Sequence, residues 1–182
     1  GIQLKAACQS CAEGITAAAP KGCHYTFPSA VDATMICNGI ELYAAQPVSP
    51  MVKTKIREHG VSYGMSEAGY DLRIKQSVTL HPFKRFALAS TIERFDMPKD
   101  LVAIVHDKST WARRGLSVFN TVIEPDWRGW LTLELVYHGW KPLRIPAGAG
   151  IAQAIFHRIE EPASYGGGKY QDQADRPVGA MG

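Results

Sequence analysis

Between Gly69 and Ile159 the chain is a succession of short apolar runs: YDLRI, SVTL, RFALAST, LVAIVH, LSVFNTVI, WLTLELVYH, PLRI and IAQAIFHRI. Each is cut off by Pro, Gly, Asp or Lys, and none is long enough with a 3.6-residue period to compel a helix. Many short strands with turn signals between them point to an all-β barrel or jelly roll. The one exception is Ser109 to Arg114, which has room for one or two helical turns.

The flanks read differently. Residues 2–13 (IQLKAACQSCAE) are rich in helix formers and stop at Gly14, so a short helix is expected there. Ser49 to Gly60 stays open: Ser-Pro and Gly look like helix punctuation, while Val52, Thr54 and Ile56 alternate with Lys53, Lys55 and Arg57 as in a strand. After Glu161 come Pro162, a triple glycine at 166–168 and a polar end, the composition of a flexible tail. The expected organisation is a partly helical extension over residues 1–46, a β domain over 47–162 and a tail over 163–182.

At 182 residues the chain holds one domain with a sizeable core. Its net charge of +3 is too small and too evenly spread for a duplex-binding face, though a local cluster suffices for a small polyanion. A nucleotide is therefore expected as ligand, and no nucleic acid. Cys8, Cys11, Cys23 and Cys37 all precede the strand-rich region and would not staple it, which indicates a reducing compartment. Cys8 and Cys11 have the spacing of half a zinc site that Cys23, His24 and Cys37 could complete, but no second CxxC follows, so free cysteines are the plainer reading. No apolar run approaches the roughly 18–20 residues of a membrane span, and a cytoplasmic protein is expected.

The segment HDKSTWARRGL, His106 to Leu116, ends a strand-like run with Lys-Ser-Thr. A P-loop finishes that way, but the residues before it are Leu101-Val-Ala-Ile-Val105 and carry no glycine. If Lys108, Ser109 and Thr110 hold phosphate, they do so from another scaffold. Glu134 stands in WLTLELVYH, where alternation puts Thr132, Glu134 and Val136 on one face and Leu131, Leu133 and Leu135 on the other. Such a Glu is ordinarily a solvent-facing residue.

Several stretches taken in order resemble the dCTP deaminase family. Ser62-Tyr-Gly-Met-Ser-Glu-Ala-Gly-Tyr-Asp-Leu-Arg73 is similar to the family's SYGxSxxGYDxR signature, and Phe86-Ala-Leu-Ala89 with Thr91, Glu93 and Pro98 to the following strand pair. Lys108-Ser-Thr-Trp-Ala-Arg113 with Gly115 resembles the phosphate segment. Glu124-Pro-Asp-Trp-Arg-Gly129 and Leu131-Thr-Leu-Glu134 resemble the catalytic strand, Ala147 to Gln153 the turn after it, and Gly167-Gly-Lys-Tyr-Gln-Asp-Gln173 the GGKYQGQ tail. The resemblance spans about residues 60 to 175. It implies a distorted jelly roll or β-barrel of the dUTPase-like type and a homotrimer with active sites at subunit interfaces.

It also implies roles. Hydrolytic deamination at cytosine C4 needs a base to deprotonate water and an acid to protonate N3 and the leaving amine, and one partly desolvated carboxylate can do both. The resemblance makes Glu134, five residues after Gly129, that catalytic group, with Arg113 and Ser109 beside it. Substrate contacts carried over are Lys108, Ser109, Thr110, Asn120, Glu124, Trp127, Gln153, Tyr165, Lys169 and Gln173. Glu124 would accept the deoxyribose 3′-hydroxyl, and Trp127 would disfavour a bulkier ribose. The Tyr165 to Lys169 spacing is shorter than the family's. Asp71 and Arg73 are expected as a buried structural pair. Mg²⁺ would ride on the triphosphate, held mostly by phosphates and water, and dTTP is a possible feedback ligand. The rival zinc deaminases carry His-x-Glu and Pro-Cys-x-x-Cys. None of the six histidines has Glu two residues on and Ala7 precedes Cys8, so zinc-independent chemistry is expected.

Three alternatives stay open. Ala68 to Leu72 and Val122 to Gly129 also resemble dUTPase motifs, so a dUTPase, or a bifunctional enzyme releasing dUMP and pyrophosphate, is the nearest. A non-catalytic nucleotide sensor on the same fold would have lost Glu134 or Lys108-Ser109-Thr110, and has not. A sugar-binding jelly-roll lectin fits the fold class alone.

Overall fold

The computed structural model describes residues 35–119 and 121–182. The expected helix over 2–13, Cys8, Cys11, Cys23, His24 and Asn120 lie outside the described residues.

Among the described residues thirteen strands and two short helices follow one another: β1 (Ile36–Cys37), α1 (Gly39–Ala45), β2 (Val48–Ser49), β3 (Ile56–Glu58), β4 (Val61–Met65), β5 (Tyr70–Arg73), β6 (Val78–Leu80), β7 (Phe86–Asp96), β8 (Leu101–Asp107), α2 (Ser109–Ala112), β9 (Leu116–Val118), β10 (Val122–Ile123), β11 (Arg128–Tyr137), β12 (Leu143–Ile145) and β13 (Gly150–Arg158). The fold is mainly β, of jelly-roll type, and every apolar run read from the sequence supplies a strand. One sheet has the order β10-β8-β13-β5-β4-β3, with β1 also pairing β13; the second runs β2-β7-β11-β9, and β12 pairs β6. All named pairings are antiparallel. Alternate residues of both sheets, Leu101, Ala103 and Val105 on β8 and Leu133, Leu135 and Tyr137 on β11, turn into one contiguous core. This is the two-fold periodicity of half-buried strands.

One expectation is revised and one open segment is resolved. Residues 36–45 belong with the β domain, because Ile36 and Cys37 pair with His157 and Phe156 and Leu42 of α1 is fully buried in the core. The boundary drawn at residue 46 therefore falls too late. The open segment resolves as strand at Ile56–Glu58, paired with Val61–Tyr63.

Asp71 and Arg73 do not pair with each other, because each has a closer partner across a strand. Asp71 accepts from Lys108 Nζ at 2.5 Å and Ser62 Oγ at 3.0 Å. Arg73 donates through Nε to Glu93 Oε1 at 2.7 Å and through its backbone N–H to Oε2 at 2.9 Å. Glu93 reaches Arg73 because β7 is irregular there. As β11 advances from Trp130 to Thr132, β7 advances from Arg94 to Ser90, so the extra residues bow out of the ladder and re-aim their side chains. Thr91 in this bow bridges to Ile74 and accepts the Leu131 N–H at 3.1 Å.

Candidate active site

Glu134 sits on β11 opposite Leu88 of β7, with Val136 opposite Phe86, so Leu88 and Phe86 share its face of the sheet. That face is the floor of a cleft of about 580 Å³, inside the ~300–1,000 Å³ range of small-molecule sites. The segment from Thr121 through Glu124 to Trp127 forms one side, and Tyr165, Tyr170 and Gln173 from the tail form another. Glu124, Trp127, Glu134, Tyr165 and Gln173, five of the residues predicted from sequence, are thus brought together.

Glu134 is half-buried, and among the described residues no side chain bonds or pairs with its carboxylate. Burial pushes its carboxyl above the usual carboxylate range, partly offset by its own backbone N–H. A proton acceptor of this kind, desolvated but not neutralised by a cation, suits work on a substrate near neutral pH. Glu124 is exposed at the mouth of the cleft.

The tail is laid down on its own domain. Tyr165 N–H donates to Pro125 O at 3.0 Å, Trp127 Nε1 donates to Tyr170 O at 2.7 Å, and Trp130 N–H donates to Gln173 O at 3.2 Å. Gly129 makes this possible: its φ is +136°, and a Cβ there would lie 2.5 Å from Gln173 N. Likewise a Cβ on Gly168 would strike the Tyr165 ring at 1.9 Å. Trp127, buried and tilted against Phe95 at 5.8 Å, is therefore both core and tail anchor. Lys169 is exposed, donating to Met181 O at 2.5 Å with its ammonium 5.6 Å from the Tyr170 ring, and does not line the cleft.

The remaining predicted residues lie elsewhere. Lys108 precedes α2, its side chain only 13% exposed and its ammonium held between Asp71 and Ser62. Gln153 on β13 stands opposite Asp71 and His106 and donates to Ser66 Oγ at 2.8 Å. Ser109 and Arg113 are exposed and Thr110 half-buried on the α2 turn, and none of the three lines the cleft. Among the described residues the cleft is lined by two carboxylates and no Lys or Arg. Among the described residues no group of three or more His, Cys, Asp or Glu is placed to hold a metal ion.

The sequence reading missed Phe86, Leu88 and Thr132 as cleft residues, although strand alternation about Glu134 carries the signal for Thr132. It also missed Val178, Gly179 and Ala180, which no motif marks.

Residues 70–159 match the family described as dCTP deaminase-like. The dCTP deaminase of Azotobacter vinelandii is 33% identical over 69% of this chain and 86% of its own length. That of Helicobacter pylori is 33% identical over 69% and 85%, and that of Acidobacterium capsulatum 34% identical over 69% and 86%. Among solved structures, a mutant dUTPase from phage phi11 of S. aureus superposes with a TM-score of 0.49 at 17% identity, covering 64% of this chain and 92% of its own.

Proposed function

Because the chain belongs to the dCTP deaminase family, we propose that the Glu134 cleft carries out the hydrolytic deamination of dCTP to dUTP and ammonia. The observation that carries this is a half-buried carboxyl, raised by burial and unpaired with any cation among the described residues, on the floor of a nucleoside-sized cleft. Glu134 takes a proton from water as its oxygen bonds to C4 of the cytosine ring, and protonates N3. Glu134 then takes the proton of the new C4 hydroxyl and hands it to the amino group, so that ammonia leaves as the C4–N bond breaks and the C4 carbonyl forms. Glu124 at the cleft mouth is placed for the sugar 3′-hydroxyl, and Trp127 with Tyr165 closes the sugar side.

A cleft lined by two carboxylates and no cation does not hold a triphosphate by itself. We assign that task to the Lys108 to Arg113 segment of a neighbouring subunit in a homotrimer, with Lys169 and Gln173 of the tail and Gln153 assisting. Lys108 then acts with its Asp71 partner attached, anchoring the turn that presents Ser109, Thr110 and Arg113. Magnesium is assigned to the triphosphate, where an ion held by phosphates and water asks no carboxylate cage of the protein; no step runs through it. The lack of the His-x-Glu signature supports deamination without zinc.

Purified protein incubated with dCTP and Mg²⁺, with dUTP in a parallel reaction, separates the readings. Accumulation of dUTP with the dUTP reaction unchanged is expected. Appearance of dUMP and pyrophosphate would transfer the chain to the bifunctional reading, and an inert protein that still binds dCTP would make it a sensor.

A further inference from the structure

The tail motif ends at Gln173, but the chain turns back into the cleft instead of leaving it. Val178, Gly179 and Ala180 line the cleft together with Glu134. Several contacts fix this return. Lys75 pairs with Asp175 where it begins, and Val178 N–H donates to Thr132 Oγ1 at 3.0 Å. At the far end Met181 N–H donates to the Tyr170 hydroxyl at 3.3 Å, and Met181 O accepts from Lys169.

Thr132 is buried, two residues before Glu134 on the same strand face. Among the described residues the Val178 N–H is the hydrogen-bond partner of its hydroxyl. A hydroxyl at this depth needs such a partner, and a backbone amide brought 46 positions along the chain supplies it. The space left beneath the returning segment is about 580 Å³, so the segment walls the cleft and does not fill it. It also brings no charge of its own to the cleft.

We propose that Thr132 is a positioning residue whose hydroxyl clasps Val178, setting Val178 to Ala180 as an apolar wall over Glu134 and the bound pyrimidine. The proposal deepens the deaminase reading and rests on it. The wall limits water around Glu134 to what the reaction consumes, and it contributes to the burial that raises that carboxyl.

Three variants of the full oligomer test this: Thr132→Val, which keeps the shape and loses the acceptor; Thr132→Ser, which keeps the acceptor; and a chain ending at Arg176, which retains Lys169 and Gln173. For dCTP, Thr132→Val and the truncation should each lower kcat/KM about tenfold, the loss of one hydrogen bond's worth of transition-state positioning. Both should also move the acid limb of the pH profile toward the ordinary carboxylate value, Thr132→Ser should restore most of the loss, and the double variant should be no worse than either single one. Unchanged kinetics after truncation, or losses that add, would overturn the wall; a rise in kcat/KM would make the segment a plug. Amide exchange at Val178 reads the clasp without substrate, and should be faster in Thr132→Val but not in Thr132→Ser; equal rates in both overturn it. A wild-type chain that protects the Val178 amide yet releases no ammonia from dCTP would defeat the deaminase reading and the wall's role while leaving the clasp in place.

Discussion

Glu93 and Glu134 lie on paired strands, β7 and β11, and burial raises both carboxyls, yet one is tied into the scaffold and the other faces the cleft where we propose the chemistry. Glu93 is fully buried and meets Arg73 twice, through Nε and the backbone N–H, and the Arg73 guanidinium lies 4.8 Å from the Tyr63 ring. Its charge is spent on closing the two sheets together. Glu134 is only half-buried, faces a cleft, and among the described residues has no cation near it. Burial alone does not mark a catalytic carboxylate. Burial without a partner, beside space for a substrate, is what makes Glu134 the candidate.

The largest expected effect tests the second half of this contrast. Glu134→Gln should lower turnover by about 10²–10⁴-fold, the usual scale of lost acid–base catalysis, while dCTP binding measured by calorimetry persists. Substantial residual ammonia release would break the assignment. Arg73→Met tests the first half: it leaves Glu93 buried and unpaired, at a cost of about 3–5 kcal/mol in denaturant unfolding. A loss under about 1 kcal/mol would put this pair on the footing of a surface contact.

The pH dependence of Glu134→Gln sharpens the comparison. A carboxyl whose folded-state pKa is raised binds its proton more tightly in the folded chain, so its stabilising share is fully present below the ordinary carboxylate value and is lost as pH rises through the raised one. Glu134→Gln should therefore be more stable than wild type at neutral pH, with the difference vanishing in acid. Equal stability at all pH values would mean that Glu134 is not desolvated. In the wild type the acid limb of kcat/KM should lie above the ordinary Glu range. The smallest effect is expected from Trp127→Phe, which retains packing on Phe95 and gives up the Nε1 bond to Tyr170 O. About 1 kcal/mol of stability should go with it, along with a higher KM through the loosened tail.

Much of this is legible in the sequence. Strand alternation placed Thr132, Glu134 and Val136 on one face, and the structure keeps them there. The short runs between turn residues became strands, since a two-residue period bounded by Pro and Gly leaves the backbone little alternative. Asp71 and Arg73 are expected from the resemblance as a buried structural pair. In the fold Lys108 and Glu93 lie closer to them, and sequence spacing carries no information about that.

The sequence by itself determined what is local: which segments extend, where they turn, and the chemical character of the residues each face presents. Tertiary structure decided everything that depends on distant segments meeting. The bow of β7 that carries Glu93 to Arg73, the neutralising of Lys108 by Asp71, and the return of Val178 to Thr132 are each separated by many positions along the chain. Their geometry follows from sheet register and packing, which the whole chain fixes at once.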